Sequence, residues 1–109
     1  MTFEVRVTDR ADRDVDTIFE WLAQHTKVGA VRWYHAYLKS LSLLPDQATG
    51  CGLAPEAEKF QIELRQILFK TRSGHVYRSL FVIVTNTIHV VGVRATGQDL
   101  ASIGDLDLP

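Results

Sequence analysis

The stretch YRSLFVIVT, Tyr77 to Thr85, is apolar on both of its alternating sets of residues. Successive side chains of a strand point to opposite faces, so such a run suits a central strand covered on both sides. A chain that contains it needs a sheet, and elements packed against that sheet. The expected strand spans residues 76–85, flanked by two further strand-like runs at 62–70 and 87–94. Asn86-Thr87 reads as the tight turn between the last two. Near the start, FEVRV at residues 3–7 alternates apolar and polar and reads as a short strand.

Between these strands lie two helical patterns. Thr8 or Asp9 can cap the first, with Asp12 and Asp14 favouring its positive end. Ala11, Val15, Ile18, Phe19 and Leu22 then recur at helical spacing as one apolar stripe. In the second helix Val31, Tyr34, Leu38 and Leu41 form the expected stripe, widened by Ala30, Tyr37 and Leu44, and Pro45-Asp46 is its expected end. Trp21, Trp33, Tyr34 and Tyr37 are expected to pack between the two helices. Residues 46–61, punctuated by Gly50, Gly52 and Pro55, read as a loop. The resulting order, β-α-α-β-β-β, predicts an α+β fold: a helix hairpin packed on one face of a mostly antiparallel sheet. At 109 residues and 46% hydrophobic content, one domain over residues 1–109 is expected. The acidic tail, residues 101–109, is either loosely held or laid over a sheet edge.

Several chemistries have no support. Cys51 is the only cysteine, which excludes an intramolecular disulfide and fits a reducing cytosol. His25, His35, His75 and His89 show no metal-ligand spacing, and no phosphate-binding loop, dinucleotide fingerprint or G-x-S-x-G is present. The N-terminus carries charge where a signal peptide has an apolar core, and the longest apolar runs are too short to span a bilayer. A cytoplasmic protein without a membrane association, metal or cofactor is the expectation.

Charge is unevenly placed. Residues 1–58 carry a net −3, residues 59–98 a net +5 with Glu63 as their only acid, and residues 99–109 a net −3. Arg65, Arg78 and Arg94 fall one per strand on the last three strands, with Lys70 and Arg72 near the turn between the first two of these. With helices on one sheet face, these cations could converge on the other and take an anionic partner. Alternatively each pairs with a carboxylate of the acidic helices or tail. His75 and Tyr77 lie beside Arg78 and are the available proton-transfer groups.

The β-α-α-β-β-β order, together with RADRDVDTIFEWLAQH, ELRQILF, YRSLF and the final VVGVR, resembles the RelE/ParE superfamily of bacterial type II toxins over about residues 3–100. The resemblance implies a growth-inhibiting, plasmid-stabilisation type of toxin held inactive by a cognate antitoxin, in a hetero-oligomer where a disordered antitoxin segment folds on binding. RelE-like members enter the ribosome and cut mRNA without a metal, through the 2′-OH; ParE-like members poison DNA gyrase. On the RelE-like reading Arg78 resembles the arginine beside the scissile phosphate. Arg65, Lys70, Arg72 and Arg94 resemble the family's basic residues that contact the target, and His75 or Tyr77 is the proton-transfer group. Ala95 and Gln98 depart from the family's R-H-G-A-R-D ending, and the tail lacks its usual tyrosine or histidine. With a faintly acidic net charge of −1, these departures favour a ParE-like or attenuated toxin over a ribonuclease, which needs several phosphate contacts. A non-catalytic module that only binds its antitoxin is the alternative from another class.

Overall fold

The computed structural model describes residues 3–72 and 74–109; Met1, Thr2 and Ser73 lie outside it. The chain runs β1 (Glu4–Val7), α1 (Asp9–Ala23), α2 (Lys27–Gln47), a 3-10 turn (Ala48–Gly50), α3 (Glu56–Phe60), β2 (Arg65–Phe69), β3 (Tyr77–Val84), β4 (Thr87–Ala95) and a last 3-10 turn (Ile103–Asp105). Among the described residues the strands form one mixed sheet in the order β1-β4-β3-β2. β1 runs parallel to β4 and the other pairs are antiparallel. The fold is α+β with the expected order, and the largely apolar strand β3 lies between two others.

Both helix starts follow from capping. The Thr8 hydroxyl accepts the Ala11 N–H at 3.3 Å, and the Thr26 hydroxyl accepts the Gly29 N–H at 3.2 Å. α2 does not stop at Pro45 but runs on to Gln47, where Ala48 N–H closes onto the Leu44 carbonyl. The proline removes only one bond, and the last turn survives the loss. The hairpin turn between β3 and β4 is Thr85-Asn86, one residue earlier than expected, since Val84 pairs with Thr87. Thr85 takes a left-handed φ of 56° there, an uncommon conformation for a β-branched residue.

The hairpin α1–α2 packs on one face of the sheet, but α2 turns a different stripe inward from the one its sequence suggests. Ala30, Trp33, Tyr37, Ser40 and Leu44 are buried, whereas Val31, Tyr34 and Leu38 are exposed. The buried set has good helical spacing; Ser40 hides it in the sequence, and its hydroxyl is satisfied by the Tyr37 carbonyl at 2.6 Å. Trp33 and Tyr37 pack on the sheet through Phe69, at 5.8 and 5.7 Å between ring centres, and not chiefly between the helices. Tyr34 does meet α1, edge-on to Phe19, while Trp21 is 57% exposed with its ring tilted 47° against that of His25.

The opposite face of the sheet is also covered. Ala54, Ala57 and Leu64 from the segment around α3, with Ala101 and Leu106 from the tail, pack on Leu80, Val82 and Val91. The tail is therefore firmly placed, and it lies across a sheet face, not along an edge. A β-bulge makes this layer possible. Leu80 pairs with Gly92 and Phe81 with Val90, so Val91 is an extra residue in β4. Val90 and Val93 face the helices, Val91 faces the tail, and Gly92 and Arg94 take the tail side. A Cβ at Gly92 would lie 2.6 Å from the Leu106 side chain, so glycine there lets the tail seat.

Candidate functional site

The three strand arginines do not form one patch. Arg65 shares the alternation of Ile67 and Phe69, which face the helices, and its Nη1 donates to the Cys51 carbonyl at 2.5 Å, with Glu63 3.9 Å away. Arg78 and Arg94 are direct cross-strand partners on the tail side. Lys70 and Arg72, around the β2–β3 turn, are exposed, as is His75. Tyr77 follows the helix-side alternation and is buried against Trp33 and Phe69, 5.4 and 5.9 Å between ring centres. Burial pushes its phenol above the usual tyrosine range. Tyr77 and Arg78, adjacent in sequence, thus point to opposite faces of the sheet.

Arg78 is the residue on which the expected chemistry most depends, and it is 4% exposed. Its Nη1 donates to Glu56 Oε1 at 2.7 Å and its Nη2 to Glu56 Oε2 at 2.6 Å, a bidentate pair. Nη1 also donates to Gln66 Oε1 at 3.3 Å. Glu56 is itself fully buried, and its Oε2 accepts the Ala101 N–H of the tail at 2.9 Å. Burial alone would raise the Glu56 carboxyl. The Arg78 side chain, the Ala101 N–H and Glu56's own backbone N–H outweigh burial and hold it down at about 2. The node ties α3, β3 and the tail together, and leaves Arg78 with a matched counter-charge beneath a covering layer.

Arg94 has a looser setting. Its Nη2 donates to the Asp99 carbonyl at 2.8 Å, and its Nη1 lies 3.9 Å from Asp105. The carboxylate of the tail therefore partners one strand arginine weakly, while a carboxylate of the loop region partners the other tightly. Glu56 carries no signal as a site residue in the sequence, where it sits in a stretch that reads as a loop. The indirect signal is the central strand itself: a buried arginine at position 78 requires a carboxylate from elsewhere, because an unpaired buried charge is too costly.

No group of three or more His, Cys, Asp or Glu side chains among the described residues is placed to hold a metal ion. No helix among them is long and apolar enough to cross a membrane. Comparison of the chain with protein-family models and with curated proteins gives no match.

Proposed function

We propose that this chain is a growth-inhibiting toxin of the RelE/ParE kind, acting on DNA gyrase by binding it, and neutralised by an antitoxin. The β-α-α-β-β-β order and the sequence stretches that resemble the family support the toxin reading. The observation that carries the choice of target is the state of Arg78. Cleavage of RNA requires donors free to meet charge as it develops on a phosphoryl group. Both Nη groups of Arg78 already donate to Glu56 at 2.6–2.7 Å, under the tail. Prising a buried pair of this kind apart costs on the order of 3–5 kcal/mol. Tyr77 is on the wrong face to join Arg78. A protein-binding mode asks nothing of that arginine.

A second reading, a non-catalytic module that binds only its antitoxin, is favoured by one feature: the apolar residues Val31, Tyr34 and Leu38 that α2 leaves exposed, with Trp21 nearby in the chain on α1. Purified protein distinguishes these readings when added separately to gyrase on relaxed plasmid and to ribosomes programmed with mRNA. The gyrase reading predicts loss of supercoiling and intact message. Cut message with normal supercoiling would overturn it in favour of a ribonuclease, and no effect in either assay would leave the binding module.

A further inference from the structure

Where β1 ends at Val7, opposite Val90, the remainder of β4 is flanked on that side by α1. Asp14 closes the strand's edge there by accepting the Val93 N–H at 3.0 Å. Between α1 and the end of β4 lies an open cleft of about 330 Å³, walled by Ile18 and Val93. Three guanidinium groups line it, Arg10 and Arg13 three residues apart on α1 and Arg94 from β4, with the Thr17 hydroxyl and the Gln98 amide beside them.

Part of the donor capacity of this cleft is uncommitted, in contrast to that of Arg78: the Asp99 carbonyl holds Arg94 Nη2, but other guanidinium donors are not so held. Arg13 forms no ion pair among the described residues. The Arg10 guanidinium has only two loose contacts, with Asp14 and Asp105 at 3.5 Å each. Arg94 Nε is buried and has no hydrogen-bond partner among the described residues, and buried donors of that kind are uncommon. Asp14 also lines the cleft and Asp105 lies beside Arg10; each has one oxygen engaged by a backbone N–H, Asp14 by Val93 and Asp105 by Ser102 at 2.9 Å, and three guanidinium groups outnumber them. Planar guanidinium forks suit oxyanions; donors arriving from two elements, with hydroxyl and amide groups beside them, can meet the three or more oxygens of a phosphate, where a carboxylate offers two.

We propose that this cleft binds a phosphate group, from a free nucleotide or from a nucleic-acid backbone. Of the residues that the toxin resemblance names, the inference uses Arg94 alone, and it rests on neither Arg78 nor the α2 face. Titration calorimetry on the full chain at low ionic strength tests it with three probes: inorganic phosphate, a nucleoside 5′-monophosphate, and a short single-stranded oligonucleotide without terminal phosphates. Saturable binding of roughly millimolar affinity or tighter is expected for at least one of them. Preference for the monophosphate identifies the nucleotide source, and preference for the oligonucleotide identifies the backbone. Arg13→Ala, at an exposed position without an ion pair, is expected to weaken binding about tenfold. Arg94→Lys, which keeps the charge and removes the fork, is expected to weaken it as well. Arg32→Ala on α2, outside the residues that line the cleft, should leave it unchanged. Absence of saturable binding to all three probes, or equal loss in the Arg13 and Arg32 variants, overturns the proposal.

Discussion

At position 78 a guanidinium lies under the tail, and at position 56 a carboxylate meets both of its forks. The pair explains how a cation can sit in a buried, largely apolar strand. Removing one member is the harsh change, because the other charge stays buried alone. Glu56→Gln is therefore expected to destabilise the fold by about 3 kcal/mol in urea denaturation, and Glu56→Gln combined with Arg78→Met by less than the single change. A single variant as stable as the parent would show that the pair is not formed in solution. The same pair sets an acid sensitivity. With a folded carboxyl at about 2 against an ordinary 4.5, its contribution is complete above the unfolded value and drains away as pH falls between the two. Denaturation midpoints should thus fall across that window, and Glu56→Gln should flatten the decline. Arg78 could be singled out from sequence because charge is out of place in a central strand. Glu56 could not, because nothing local says that residue 56 returns over residue 78.

Among elements, the tail is the one that most changes how the sheet is understood. Leu106 is 7% exposed and packs in the same layer as Leu80, Val82 and Val91. Backbone and side chain hold it together: Asp107 N–H reaches the Val91 carbonyl at 3.3 Å, and Arg10 N–H reaches Asp107 at 3.1 Å. Leu106→Ala is expected to cost about 2–3 kcal/mol, with faster amide exchange at Ala101 and Asp107 than in the parent. Exchange unchanged at both amides would mean that the side chain does not hold the tail down. The sequence patterns reach these elements unequally. The strands and the starts of both helices are legible from alternation and capping residues. The inward face of α2 is not, since it has two apolar stripes and the one that wins contains Ser40. The bulge at Val91 is equally silent, as VVGV fits a regular strand until the tail is known to lie against Gly92.

For the whole molecule, the order of elements follows from the central strand's need for cover on both faces, and both covers are present. The sequence identifies the helix hairpin as one of them. The other is built from a loop region and a tail that carry no periodic signal, so it emerges only once the chain is folded. This second cover also rearranges the charge. The excess of cations in residues 59–98 does not become one target-facing surface: Arg65, Arg78 and Arg94 are each engaged with neighbouring groups, while Lys70 and Arg72 stay exposed. On the proposed toxin reading, a central arginine neutralised in this way favours holding a protein target over cutting RNA. The direct test of that proposal is induced expression of this chain alone in a bacterial host, followed by pulse labelling of DNA and protein synthesis. DNA synthesis falling first, in cells that then filament, is the predicted result. Protein synthesis falling first, with DNA synthesis initially intact, would contradict it.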